Sequence, residues 1–260
     1  MWIDSHAHLT CNEMYFDIDS ILSRAKQEKI TSIINICSDS SAHTRGISLK
    51  KRYPWIHNAG GTHPHDTAMR GLSEHVYFEK AAKSGELIAI GEIGLDYYHL
   101  YSPKSVQAAY MKKYIALAIE ENLPVIFHCR EAFSDLFAIC DECFPNSVGR
   151  VVVHCFTGSF NEARSALDRG WYLSISGIVT FKNSGFLRDI VAKIPRDSLL
   201  LETDCPYLSP GKYRGKRNEP AWMTETAKVC AAIQNCSVEE LALATSYNAK
   251  KIFQIEKKIL

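Results

Sequence analysis

The chain has 260 residues, 46% hydrophobic and 23% charged, an ordinary globular composition with ample material for a core. Thirty basic against 29 acidic side chains leave a formal charge of +1, so no overall field advertises a nucleic-acid or membrane partner. Nine cysteines without a regular framework read as reduced thiols, no apolar run nears the ~20 residues of a membrane span, and no signal peptide precedes the first motif, which together place the protein in the cytoplasm.

The predicted elements begin at once. "MWIDSHAHLT" reads as a strand over Ile3 to His8, on which residues two apart share a face, so that Asp4, His6 and His8 point together. Further strand-like runs follow at "TSIINIC" (31–37), "WIHNAGGTH" (55–63), "LIAIGEI" (87–93), "PVIFHC" (124–129), "RVVVHCF" (150–156), "WYLSIS" (171–176) and "SLLLETD" (198–204). They are rich in Ile, Val and Leu, as buried parallel strands tend to be. Between them lie helical segments. "SPKSVQAAYMKKYIALAIEEN" places Val106, Tyr110, Tyr114 and Ala118 at four-residue intervals. "GSFNEARSALDRG" opens on a capping box, Ser159 and Glu162, and "CSVEELALATSYNAKKIF" on another, Ser237 and Glu240. Cys140 and Cys143 have CxxC spacing, which without a second pair is weak evidence of a metal or redox site. Eight strands alternating with helices, and no linker, predict a single α/β domain over residues 1–260, a (β/α)8 TIM barrel; a doubly wound open sheet is the structural rival.

A barrel places catalytic groups at the C-terminal ends of its strands. His6 and His8 end the first run, His63 and His65 the third, Glu92 the fourth, His128 the fifth, His154 the sixth, and Glu202 with Asp204 the eighth. One histidine after a strand is usually just hydrogen-bonded. Six of eight strands ending in His or a carboxylate share a cause, and a metal centre supplies it.

"DSHAHL", "GTHPHD", "GEIGLDYY", "PVIFHCR", "VVVHCFTGS", "LLLETDCPYL" and "RGKRNEP", in this order, resemble the TatD family of metal-dependent deoxyribonucleases, within the amidohydrolase-like barrels. The resemblance implies a two-metal centre: His6, His8 and Asp204 match the ligands of one ion, and Glu92 bridges to a second held by His128 and His154. The ions are divalent, Mg, Mn or Zn; imidazole-rich donors favour the softer ones. Such a pair lowers the pKa of bound water and draws charge from a phosphodiester transition state. Asp204 is the natural general base. Glu202, two residues earlier and one layer deeper, can hold the tautomer of a ligating imidazole, or be a structural core carboxylate. The expected substrate is DNA, single-stranded or at ends, contacted by His63, Arg130, Arg217, Asn218 and Tyr207, with Lys212, Arg214 and Lys216 in the same basic loop and Tyr97 and Tyr98 as further stacking candidates. No obligate protein partner is implied. The alternatives are a hydrolase of small amides or esters on the same centre, or a metal-bound scaffold without catalysis.

Overall fold

Each of the eight apolar runs contributes a strand in the computed structural model, which describes residues 1–144 and 150–255. The strands are β1 Trp2–Ala7, β2 Ile30–Cys37, β3 Ile56–Gly60, β4 Ala89–Asp96, β5 Val125–Arg130, β6 Val151–Val153, β7 Tyr172–Ile175 and β8 Leu199–Leu201. All neighbours are parallel, and the sheet runs β1 to β8 in chain order. The ring is completed just beyond the last strand. Asp204 N donates to His6 O at 2.9 Å, His8 N to Cys205 O at 2.8 Å, and Ser5 Oγ to Leu201 O at 3.0 Å. An open doubly wound sheet would leave β1 and β8 on separate edges; here they meet.

Around the barrel run helices α1 Asn12–Tyr15, α2 Ile18–Gln27, α3 Ser40–Arg52, α4 Thr67–Lys83, α5 Lys104–Glu120, α6 Phe133–Cys143, α7 Phe160–Asp168, α8 Gly185–Val191, α9 Met223–Ile233 and α10 Val238–Phe253. Both predicted capping boxes form, at Ser159–Glu162 and Ser237–Glu240. On α5 the buried face is Gln107, Met111, Tyr114, Ile115 and Ala118, while Val106 and Tyr110 sit at its margin. A column at four-residue spacing drifts by about 40° per step, so it starts at the margin and reaches the buried stripe only in its second half, at Tyr114 and Ala118. No helix among the described residues is long and apolar enough to cross a membrane, and all nine cysteines are free thiols.

Inside the barrel, Ile3, Ile34, Ile36, Ala59, Ala89, Ile126, Val152 and Leu200 pack together, and Ile252 and Phe253 of α10 join the same cluster. Bonds from Ser246 Oγ to Met1 O and from Asn248 Nδ2 to Leu199 O fix α10 against the N-terminal ends of β1 and β8. Apolar side chains thus fill one end of the barrel, each worth roughly 1.5–3 kcal/mol on burial. The opposite end is left for polar groups. At Gly94, paired with His128, a Cβ would collide with the His128 carbonyl, so β4 and β5 lie closer there than any other residue would permit.

Candidate metal centre

The polar end collects the strand-end residues into one place. His6 lies on β1 and His8 one residue past its end; Glu92 is on β4, and Asp204 is three residues beyond β8. Their atoms form a tight cage: His6 Nε2 is 3.3 Å from His8 Nε2, 3.4 Å from Glu92 Oε2 and 3.6 Å from Asp204 Oδ1, and His8 Nε2 is 3.7 and 3.3 Å from the same two oxygens. Donors about 2.1 Å from a shared ion in tetrahedral arrangement stand about 3.4 Å apart, and these five separations are close to that.

The other oxygen of Glu92 faces a second set. Its Oε1 is 2.9 Å from His128 Nδ1, 2.7 Å from His154 Nε2 and 3.4 Å from His63 Nε2. His128 Nε2 lies 3.0 Å from Asp96 Oδ2. A carboxylate only accepts, so the Nε2 proton goes to Asp96, and a neutral His128 turns its Nδ1 lone pair on Glu92. Two acceptors face to face need a cation between them. Protons can take that place: burial works against charge on His128 and His154, yet Asp96 and Glu92 raise His128 above its ordinary value, and Glu92 and Glu202 raise His154 well above it. Burial likewise opposes charge on Glu92, but His154, His63 and His128 hold it well below the usual carboxylate range. Asp204 is also depressed, because its bond to His8 and the nearby His6 outweigh its burial. Glu92 thus stands ionised between two imidazole-rich donor sets, in each of which a divalent cation could replace the protons, and such donors are ones that divalent ions accept.

Glu202 sits beneath this layer, wholly buried. Its Oε1 accepts from Cys155 N at 2.8 Å and lies 3.4 Å from His154 Nδ1. That approach is too skewed for a hydrogen bond, and His154 Nδ1, His6 Nδ1 and Glu202 Oε2 are all buried without a partner. His6 and His154 stack at 3.8 Å, so one carboxylate underlies both rings.

Asp204 adopts φ +55°, a left-handed conformation that is costly for a residue with a Cβ. Its own N–H bond to His6 O and the bond from Tyr207 N to Asp204 O hold it there.

The centre lies in a cavity of about 610 Å³ lined by His8, His63, Glu92, His128, His154 and Asp204, with Arg130 and Tyr207 at its wall. Arg217 and Asn218, expected to contact substrate, are not brought to it. Arg217 Nη2 binds Asp17 Oδ2 at 2.8 Å, tying its loop to the start of α2. Asn218 is fully buried, its amide given to the Thr203 and Tyr207 carbonyls. Lys212 pairs with Glu225, Arg214 lies over the Phe181 ring outside the cavity, and the Tyr97 hydroxyl is bonded to Asp135. Asp96 was missed: β4 alternation places Glu92, Gly94 and Asp96 on one face, a signal the motif "GEIGLD" contained.

Over residues 3–254 the chain matches the family described as TatD related DNase. It is 39% identical over 255 residues to the uncharacterized metal-dependent hydrolase YabD of Bacillus subtilis, covering 98% of this chain and 100% of that one. It is 31% identical over 258 residues to a protein of Erwinia tasmaniensis named 3′-5′ ssDNA/RNA exonuclease TatD, covering 97% and 99% of the two chains. Among solved structures, YjjV, a TatD homologue from Escherichia coli, superposes with a TM-score of 0.90 at 27% identity, covering 97% of this chain and 98% of that one.

Proposed function

The chain belongs to the TatD related DNase family, and from that premise we propose that it hydrolyses phosphodiester bonds of DNA at single strands or ends, with two divalent ions. The observation that carries the reading is Glu92, whose two oxygens face two separate donor sets at 2.7–3.7 Å. His6, His8 and Asp204 would hold one ion and His128 and His154 the other, with Glu92 between them. Such ions supply a nucleophile at neutral pH and offset the charge that develops on the phosphate.

The chain's own groups do the rest. Asp204, ionised and at the cavity wall, accepts the proton of the attacking water. His63 Nδ1 takes the His65 N–H at 3.2 Å, which leaves its proton on Nε2, pointing into the cavity beside Glu92. Burial brings its pKa down to about 4, so His63 stays a neutral donor for a phosphate oxygen at pH 7. Arg130 supplies fixed positive charge at the wall, and Tyr207 an exposed ring for a base. Glu202 lies beneath the rings of His154 and His6 and supplies negative charge that favours protonation of His154. A cavity recessed in the barrel end receives an unpaired strand more readily than a groove-bound duplex.

Metal-stripped protein should release no nucleotides from end-labelled single-stranded DNA, and added Mg, Mn or Zn should restore release. Asp204→Asn should stay at least about 10³-fold slower. Metal-loaded wild type that releases nothing, with Asp204→Asn equally inert, overturns the reading. A parallel RNA digest measures the preference between the two nucleic acids.

A further inference from the structure

We propose that the loop between β4 and α5, residues 97–102, is a base-stacking subsite: Tyr98, His99 and Tyr101, with Arg130, receive the nucleotide on one side of the cleaved bond. The inference rests on the nuclease reading and names where on this surface its substrate lies. Tyr98 is 56% and Tyr101 69% exposed, an aromatic concentration in one short loop. The His99 and Tyr101 rings stack within 6° of parallel, and the His65 ring stands edge-on to Tyr101 at 4.8 Å. Arg130 lies over the Tyr98 ring at 3.9 Å and donates to His99 Nε2 at 3.1 Å.

Exposed tyrosines alone need no role. Two observations lift these above that. The loop is pinned rather than loose: Tyr98 N and His99 N both donate to Asp96 Oδ1, Gln107 Nε2 binds Ser102 O, and Ser102 Oγ binds His65 O. A rigid aromatic surface stacks a base without an ordering cost. The surface is also continuous with the reaction site, since His65 and Arg130 line the cavity and both touch the loop. Arg130 gives the charge that matches a phosphate, and the rings give the faces that match a base without reading its sequence. Tyr207 stands next to His8, by the first donor set, whereas this loop stands next to His65, whose ring in turn lies 6.1 Å from His128 of the second. The two nucleotides flanking the scissile phosphate thus have separate aromatic supports.

The test compares an oligothymidylate with the same oligomer made abasic at the nucleotide beside the cleaved bond, on each side in turn. Tyr98→Ala and Tyr101→Ala change exposed side chains, so the fold survives, which melting confirms. For the base-bearing oligomer their KM should rise about 5- to 150-fold, matching the ~1–3 kcal/mol of one stacked base. For the oligomer abasic on the loop's side it should not move, and Tyr101→Phe should keep the wild-type value. Equal losses on both oligomers, or none on either, overturn the subsite alone. Wild-type protein that cleaves neither oligomer overturns the nuclease reading and the subsite with it.

Discussion

Asp4 is wholly buried, and its oxygens take three donors: His6 N at 3.3 Å, Thr203 N at 3.0 Å and Thr203 Oγ1 at 2.6 Å. It fastens the strand that bears His6 to the turn that bears Asp204. Burial nonetheless lifts its carboxyl to about 7, far above its unfolded value. Between pH 4 and 7 the metal-free native state holds a proton that the unfolded chain has lost, so this residue costs stability as pH rises through that window, by up to about 1.4 kcal/mol per pH unit. Asp4→Asn keeps the shape and removes the titration; its melting temperature relative to wild type should climb from pH 5 to pH 7, and parallel pH curves would refute the assignment. Asp96 makes the complementary case. It accepts from His128, His65, Tyr98 N and His99 N, four donors on two oxygens. With both oxygens so engaged it orients His128 rather than competing for an ion. Asp96→Asn cannot accept all four, and activity or metal affinity should fall about 10–100-fold. Metal titration should show one of the two proposed ions weakened and the other spared, with Asp96→Glu recovering part of the loss; equal weakening of both would point to general loosening.

At the level of elements, the strands and both capping boxes were legible because their signals are local: apolar runs of the right length, and Ser with Glu three residues on. The strand-end histidines and carboxylates were legible for a related reason, since a barrel gathers every strand end at one rim, so position along a strand becomes position in space. Direction off that rim was not legible. Arg217 carries the charge expected of a phosphate contact, but its partner, Asp17, is 200 residues away, and nothing near either residue signals the pairing. Asn218 likewise looked like a donor for substrate, yet it satisfies backbone carbonyls in the turn after β8. Asp96 shares a face of β4 with Glu92, but its contact with His128, 32 residues on, runs between strands and is not written in either segment. Arg217→Ala therefore belongs to packing: its KM for DNA should stay within about twofold of wild type, while stability drops by no more than about 1 kcal/mol, as befits a partly exposed pair. Urea unfolding and steady-state kinetics on the same preparation decide it, and a large KM increase would return Arg217 to the binding surface.

Over the whole molecule, charge is nearly balanced at +1, while its polar end concentrates histidines and carboxylates drawn from β1, β4, β5 and the turns after β6 and β8. The two proposed ions together would link five points of the ring that are distant in sequence, so metal removal should lower the melting temperature as well as activity, by the ordinary mass-action coupling of binding to folding. The same charge distribution bears on how the proposed DNA substrate would be met. Of the basic residues expected to contact phosphate, Arg130 reaches the cavity, whereas Arg217 and Lys212 are paired with acids elsewhere. Counterion release counts only phosphates neutralised by protein cations, about 0.7 per contact on a single strand. With one or two such contacts, log KM against log salt should rise with a slope of about 0.7–1.4, measured at fixed saturating metal so that the ions' own affinity does not enter. A slope near 5 would mean a long basic track outside the cavity, for which Lys182 and Arg214 in the cleft beside Phe181 would be the first residues to replace. A shallow slope instead means that grip comes from the ions and the rings. Affinity would then depend on bases being unpaired and available to stack, which links the molecule's near-neutral charge to a preference for single strands.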